Sequence, residues 1–275
     1  MKATMNSDFA KIHASAKRPT DIWTNHLYYS FSLRLVYLVR NTWVTPNILT
    51  LAALALVLLG SLCYATGVRS VVLIGLILVQ VSYVFDCADG QLARYRQHFS
   101  ALGGWLDQTA DRIKEFVMYF SLAYGYTRFH PGDTHIWMWA MFALFSLYLL
   151  EYFGQIKLIR GPAADRWAAA AANQAHPSPA TESSVPQSFE GTKPNIEADS
   201  RLFERIQRWR SLIPFRAFII GEQYFTMLIF VAFNWIYPLF VFVSLLGLAM
   251  AIYRPIIDYL KFRRQTAGQP PKRSF

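Results

Sequence analysis

The sequence predicts an all-α, polytopic membrane protein with six transmembrane helices and an N-terminal interfacial amphipathic helix. Of the 275 residues, 54% are hydrophobic and only 16% are charged, whereas soluble domains carry roughly 25% charged residues. Apolar runs of about twenty residues, the length that crosses a bilayer as a helix, recur along most of the chain. Basic residues are concentrated in some of the segments between these runs, which is typical of membrane proteins.

The predicted elements follow the apolar runs in chain order. Residues 1–19 are expected to form a disordered basic arm. Residues 20–44 are apolar but interrupted by Arg34, Arg40 and several hydroxyls, so we expect a helix that lies on the membrane surface with its Trp and Tyr side chains at headgroup depth. The main domain, 45–262, contains the six spans: Asn47–Gly67, Ser70–Ala88, Leu106–Tyr126, His135–Ile159, Phe215–Trp235 and Tyr237–Leu260.

Two segments of the chain are too polar to form a core of their own. The insert at 161–200 is rich in Ala, Ser, Pro and Glu, and a segment of this composition buries too little apolar surface to fold alone. We therefore expect a disordered cytoplasmic insert. The segment 263–275 is expected to be a basic tail.

The distribution of basic residues predicts the orientation in the membrane. Six Lys/Arg precede Val44, nine lie between Lys157 and Arg216, and the short connections after the first and third spans hold one each. Because basic segments stay in the cytoplasm, both termini and the active side are expected to face the cytoplasm, in a bacterial inner membrane. The net charge of +10 is explained by this topology, and we expect no nucleic-acid partner.

Four aspartates lie at the ends of the second and third spans. Asp86 and Asp89 are three residues apart, about 60° around a helix, and Asp107 and Asp111 are four apart, about 40°. The connection between the two spans is short, so the helices are expected to pack as antiparallel neighbours with all four carboxylates at the cytoplasmic end. Oxygen ligands without a suitably spaced His or Cys pair favour Mg²⁺, Mn²⁺ or Ca²⁺ over zinc. Two ions would offset the repulsion among four carboxylates.

The residues around these aspartates indicate a phosphate ligand. Divalent ions held by few carboxylates complete their coordination with substrate phosphates. Gly90 allows a ligand to approach the backbone, Ala93 leaves the same helix face open, and Arg94 offers a planar fork for phosphate oxygens. Together they describe a pyrophosphate site.

The spacing of these residues resembles a known family. The pattern D-x2-D-G-x2-A-R-x8-G-x3-D-x3-D is matched at every position, by Asp86, Asp89, Gly90, Ala93, Arg94, Gly103, Asp107 and Asp111. It resembles the CDP-alcohol phosphotransferases, also called CDP-alcohol phosphatidyltransferases, as do the six-span layout and the "TPNILT" stretch at 45–50. The resemblance does not cover the arm, the insert or the tail.

The resemblance implies a reaction in which the hydroxyl of an alcohol attacks the β-phosphorus of a CDP-alcohol and CMP is released. It implies that Asp86, Asp89 and Asp107 are the main ligands of two Mg²⁺ or Mn²⁺ ions. Asp111 would complete the second metal site and act as general base. The CDP group would be bound by Gly90, Ala93, Arg94 and Gly103, and further candidates are Asn47 and Thr50, although helix capping is an alternative role for Asn47.

The acceptor and its binding site are predicted less directly. Polar residues near the cytoplasmic half of the later spans are the candidates: Glu151, Lys157, Arg160, Arg216 and Glu222. A lipid donor such as CDP-diacylglycerol and a role in phospholipid synthesis are favoured because the site opens at the bilayer surface. A CDP-polyol transferase that makes a soluble phosphodiester, such as an inositol phosphodiester, is the alternative. We also expect contacts with membrane lipid and a homodimer.

Two other classes of protein remain open. A divalent-cation transporter would use the same carboxylates, although transporters place intramembrane charges near the midplane and these four lie near one surface. A scaffold that binds anionic lipid would account for the arginines but not for the aspartates.

Overall fold

A computed structural model describes residues 9–16, 21–160, 218 and 220–267. The described elements are helical. A π-helical turn, Thr24–Tyr28, is followed by α1 (Tyr29–Val39), α2 (Pro46–Ala65), α3 (Arg69–Tyr95), α4 (Ala101–Phe129), α5 (His135–Arg160), α6 (Ile220–Ala232) and α7 (Ile236–Ala267). The predicted insert at 161–200 and the end of the predicted tail lie outside the described residues, so both remain predictions.

Within the described residues, four helices are long and apolar enough to cross a membrane. These spans are Pro46–Ala65, Arg69–Tyr95, His135–Gly154 and Ile236–Ile257, and they coincide with the first, second, fourth and sixth predicted spans. The membrane character of the sequence is therefore confirmed for these four.

The third and fifth predicted spans are helices that do not meet the same requirement. Helix α4 is 29 residues long, but Asp107, Asp111, Arg112, Lys114 and Glu115 make its first half strongly charged. The described part of α6 has only 13 residues, fewer than the roughly 20 needed to span a bilayer. The six-span count is not confirmed by the part of the chain that the structure describes.

Two N-terminal caps define where the helices of the site begin. Pro46 is the first residue of α2, and the Thr45 side chain accepts a hydrogen bond from the backbone N–H of Ile48 at 3.3 Å. Ser100 caps α4 in the same way, accepting from the N–H of Gly103 at 2.9 Å. Side-chain oxygens at these positions satisfy N–H groups that have no partner within the helix. Thr45, rather than Asn47, therefore has the capping role.

Glycines allow α2 to lie close to both aspartate-bearing helices. A Cβ at Gly60 of α2 would lie 2.9 Å from the Gly75 carbonyl oxygen of α3. A Cβ at Gly125 of α4 would lie 2.0 Å from the Tyr64 carbonyl oxygen of α2. Small residues are what allow helix backbones to approach each other in membrane proteins, so α2 forms the common support of α3 and α4.

The N-terminal helical segment is docked on the body of the protein. Trp23 stacks on Phe225 of α6 with ring centroids 3.5 Å apart. The Thr24 hydroxyl is 2.9 Å from the Tyr83 hydroxyl of α3. Burial raises the pKa of Tyr28 well above its ordinary value, so its phenol stays protonated. A helix over residues 24–39 agrees with the sequence, whereas its position at the membrane surface remains a prediction.

Residues 9–16, which belong to the predicted arm, also pack on the body. They are helical from residue 9 to residue 14. Ile12 is fully buried in a cluster with residues of α1, α2 and α3. The backbone carbonyl of Ser15 accepts a hydrogen bond from Arg94 Nε. This segment therefore reaches the end of α3 at which the aspartates lie.

Candidate active site

Three carboxylates from two helices converge on one point. Asp86 and Asp89 of α3 and Asp107 of α4 each offer an oxygen, and these oxygens lie within 4.8 Å of one another. Asp89 is buried, while Asp86 and Asp107 are half-buried. Three carboxylate oxygens at this separation form a donor set that suits a hard divalent ion such as Mg²⁺ or Mn²⁺. The carboxylates predicted to hold metal are thus brought together, with the exception of Asp111.

The two aspartate helices do not pack directly on each other, contrary to the expectation from their short connection. Helices α3 and α4 both pack closely on α2, and along their described lengths their own backbones scarcely approach each other. The reason is that the glycine contacts described above give α2 a close fit to each of them. A gap is left between the backbones of α3 and α4, and side chains from both helices meet in it.

Lys114 bridges this gap and was missed in the sequence analysis. Its Nζ forms an ion pair with Asp111 Oδ1 at 2.7 Å and a second ion pair with Asp86 Oδ1. The Lys114 side chain is only 2% exposed. A lysine within a predicted span was the available signal, because ionisable residues at such positions are seldom without a partner.

Thr50 contacts a metal-site carboxylate. Its hydroxyl donates a buried hydrogen bond of 2.6 Å to Asp89 Oδ2. The sequence analysis had placed Thr50 among the nucleotide-binding candidates. The geometry gives it another role as well, because hydrogen bonds from neighbouring residues orient the carboxylates that bind a metal.

Asn47 and Gly103 lie against each other at the mouth of the gap. A Cβ at Gly103 would be 2.9 Å from Asn47 Oδ1 and 2.8 Å from Ser100 Oγ. Two candidate nucleotide-binding residues, one at the start of α2 and one in the first turn of α4, are therefore adjacent. Only glycine fits at position 103 without displacing these oxygens.

The Arg94 guanidinium lies over Gly90. A Cβ at Gly90 would be 3.3 Å from Arg94 Nη1, so a larger residue there would press on the guanidinium. Ala93, next to Arg94, is half-buried. Gly90 directly follows Asp89, and Ala93 and Arg94 lie about one turn further towards the end of α3.

A second arginine near this end of α3 has a structural role. Arg96 donates hydrogen bonds to backbone carbonyls of the link between α1 and α2, at 2.6 Å to Val44 and 2.8 Å to Val39. It also donates to the carbonyls of Arg40 and Thr42. Arg96 therefore anchors the segment that leads into Thr45 and Asn47.

A cavity of about 350 Å³ adjoins the carboxylates. Asp86 lines it, together with three acidic residues from other elements: Asp21, Glu115 and Glu151. Arg254 also contributes to the lining. Glu115 is paired with Arg112 at 2.8 Å. Among the described residues, the lining of this cavity is therefore rich in carboxylates.

Three of the predicted acceptor-binding residues lie outside the part of the structure that can be compared with this lining. Lys157 and Arg160 belong to α5, but their side chains lie outside the described part of the structure, as does the whole of Arg216. Glu222 is 3% exposed within α6 and is not among the residues of the cavity wall. Glu151 was a candidate acceptor residue from the sequence and does line the cavity. Asp21 and Glu115 were not singled out, because no spacing rule relates residues on separate segments of the chain.

Comparison with known proteins agrees with the geometry. Residues 43–175 match the sequence profile of the CDP-alcohol phosphatidyltransferase family. This range begins before α2 and includes all four aspartates and the whole of α3 and α4.

Two archaeal proteins are similar to parts of the chain. The archaetidylinositol phosphate synthase of Pyrococcus horikoshii is 38% identical over 82 residues, which are 30% of this chain and 42% of that protein. The bifunctional IPC transferase and DIPP synthase of Thermococcus kodakarensis is 35% identical over 130 residues, 47% of this chain and 28% of that protein. The matched regions span less than half of either relative. The profile match and the converging aspartates lead to one conclusion: residues 43–175 resemble the CDP-alcohol phosphatidyltransferase family.

Proposed function

We propose that this protein transfers a substituted phosphate from a CDP-alcohol to the hydroxyl of an alcohol acceptor and releases CMP. The observation that carries the proposal is the convergence of Asp86, Asp89 and Asp107 within 4.8 Å, in the region that matches the family. The donor that we favour is a CDP-linked lipid alcohol such as CDP-diacylglycerol, in phospholipid synthesis. A CDP-polyol that yields a soluble phosphodiester is the alternative.

The residues of the gap have separate roles in this reaction. A divalent ion bound by the three aspartates would offset charge on the diphosphate and on the departing CMP. Arg94 and Gly90 hold the diphosphate, and Asn47 and Gly103 lie against the nucleotide. The acceptor oxygen forms a bond to the β-phosphorus as the bond from that phosphorus to the CMP oxygen breaks. The Asp111 carboxylate takes the proton of the attacking hydroxyl.

The acceptor enters the cavity beside Asp86, and it is an uncharged, hydroxyl-rich alcohol. Carboxylates accept hydrogen bonds from hydroxyls, and Asp21, Glu115 and Glu151 supply such groups around the cavity. A phosphorylated alcohol would place a dianion next to the cavity wall. Among the described residues of that wall, carboxylates outnumber the guanidinium of Arg254, so a dianion would be repelled. Inositol belongs to the expected class of acceptor. The product named for one relative, archaetidylinositol phosphate, carries one phosphate more than transfer to inositol would supply, so inositol 1-phosphate is the competing acceptor in the test.

The transfer reaction is tested with the purified full-length chain in lipid nanodiscs. CMP release from CDP-diacylglycerol is measured with inositol, inositol 1-phosphate or glycerol 3-phosphate as acceptor, and products are identified by mass spectrometry. We expect CMP release with inositol, its loss in EDTA and its recovery with Mg²⁺ or Mn²⁺. Full activity of the metal-free protein would contradict the proposed site.

A pair of matched variants tests the acceptor site. Glu151→Gln should raise the KM for inositol and leave the KM for the CDP-alcohol unchanged. Asp133→Asn removes the same charge in the link between α4 and α5, away from the cavity, and should change neither constant. A preference for phosphorylated acceptors would refute the acidic cavity as the acceptor site and leave the transfer reaction standing.

The same purified chain, reconstituted into liposomes, separates the enzyme from the other two classes. A divalent-cation transporter would move Mn²⁺ into liposomes without any CDP-alcohol. A lipid-binding scaffold would bind anionic vesicles and release no CMP.

We propose that the chain crosses the membrane six times, with both termini and the aspartates on the cytoplasmic side. We also propose that it forms a homodimer. The clustered basic segments support the orientation. Labelling of single cysteines from either side of the membrane tests it, and a cysteine in the link between α4 and α5 should be labelled only from outside.

A further inference from the structure

We infer that the Lys114 ammonium takes the place of a second divalent ion, so that the site binds one divalent ion per chain. The inference rests on the metal site of the proposed function and changes its composition. Four carboxylates suggested two ions. The structure already contains one internal cation among them.

The carboxylates fall into two groups that share Asp86. Asp86, Asp89 and Asp107 have oxygens within 4.8 Å of one another, and Asp111 is outside this group. The nearest cationic partner of Asp111 is Lys114 Nζ, at 2.7 Å, and the same nitrogen is paired with Asp86. A second divalent ion that used Asp111 would bridge it to Asp86, which is where the ammonium lies.

Burial makes the ammonium difficult to displace. The Lys114 side chain is 2% exposed, and a buried charge is strongly unfavourable unless an opposite charge compensates it. Glu115, the residue after Lys114, is already paired with Arg112 and so does not replace Asp86 or Asp111 as a partner of the ammonium. A divalent ion between Asp86 and Asp111 would leave the ammonium with neither of its carboxylates and with a dication beside it.

This arrangement gives Lys114 a positioning role. It holds the Asp111 carboxylate at a defined place next to Asp86 and compensates part of the negative charge of the gap. The group of three carboxylates remains available to the single divalent ion, which completes its coordination with substrate phosphate.

The number of bound ions tests the inference without reference to turnover. Purified full-length protein is titrated with Mn²⁺, and free Mn²⁺ is measured by electron paramagnetic resonance. We expect one Mn²⁺ per chain in the wild type and two in Lys114→Gln, in which Asp86 and Asp111 lose their internal cation. Lys114→Arg keeps the charge and should bind one.

Arg112→Gln is the matched control, because it removes the same charge two residues away, from a side chain paired with Glu115. It should bind one Mn²⁺. Two ions in the wild type, or one ion in a folded Lys114→Gln, would overturn the inference. Should Lys114→Gln fail to fold, the wild-type count decides alone.

The outcomes also separate this inference from the proposed function. Two Mn²⁺ ions together with CMP release would refute the role of Lys114 and keep the enzyme. One Mn²⁺ without CMP release from any CDP-alcohol would refute the proposed reaction and keep the role of Lys114. A wild-type protein that binds no Mn²⁺ would contradict both.

Discussion

The Thr50 hydroxyl donates a 2.6 Å hydrogen bond to Asp89 Oδ2, and the two residues lie on different helices, α2 and α3. The contact is buried, and one oxygen of the Asp89 carboxylate is thereby held in place. The same carboxylate supplies an oxygen to the group that includes Asp86 and Asp107. Helix α2 thus contributes to the metal site without supplying a ligand.

Thr50→Val should weaken metal binding, because it removes the hydroxyl and keeps the shape of the side chain. Loss of a partner that orients a metal ligand usually lowers metal affinity or activity about 10–100-fold. Mn²⁺ titration and CMP release measure the two effects. Thr50→Ser retains the hydroxyl and should behave nearly as the wild type. Equal Mn²⁺ affinity in Thr50→Val and the wild type would mean that the hydrogen bond does not orient Asp89.

Gly103→Ala should reduce both stability and CDP-alcohol binding. Its Cβ would meet Ser100 Oγ at 2.8 Å and Asn47 Oδ1 at 2.9 Å, so these side chains must move, and the cap that Ser100 Oγ provides to the Gly103 N–H is disturbed. Overpacking of this kind costs about 1–3 kcal/mol. Thermal unfolding and the KM for the CDP-alcohol are the measurements.

The adjacent glycine provides the control for this substitution. A Cβ at Gly104 would meet no heavy atom within 4 Å, so Gly104→Ala should leave both measurements unchanged. If both variants behave alike, the close approach of Asn47 to Gly103 has no functional consequence.

Arg96→Gln should destabilise the protein through the link between α1 and α2. The guanidinium donates to the carbonyls of Val39, Arg40, Thr42 and Val44, and unsatisfied carbonyls cost about 1–3 kcal/mol where water does not replace the donor. Arg34→Gln removes the same charge from an exposed position of α1 and should have little effect. Thermal unfolding of the two variants decides, and an equal change in both would rule out the anchoring role.

Asp111→Asn should separate chemistry from binding. Asp111 is outside the group of three carboxylates, and an amide cannot accept the proton of the attacking hydroxyl. We expect kcat to fall roughly 10²–10⁴-fold, the usual scale for a positioned base, while CDP-alcohol binding with Mg²⁺ stays close to normal. Asp89→Asn, in contrast, should impair binding and turnover together. If CDP-alcohol binding to Asp111→Asn is lost in step with its rate, Asp111 is a ligand rather than the base.

Sequence spacing alone indicated the family that residues 43–175 match and the carboxylates that lie close together. Two aspartates that are three residues apart in a helix lie on the same face, and so do two that are four residues apart. This holds independently of the rest of the fold. The prediction that carboxylates from the two helices converge was confirmed for Asp86, Asp89 and Asp107. The apolar runs also identified the four described helices that can cross a membrane. This was possible because the length and composition of a single segment suffice for that prediction.

Tertiary structure alone decided which side chains surround these aspartates. The prediction that α3 and α4 pack directly on each other was wrong, because glycine contacts place α2 against both of them. The gap that results admits Lys114 between Asp86 and Asp111 and opens beside a cavity whose wall includes Asp21 and Glu151. Spacing along a chain defines which residues share one helix face, whereas contacts between helices depend on how closely their backbones approach, and that is set by packing across the whole bundle.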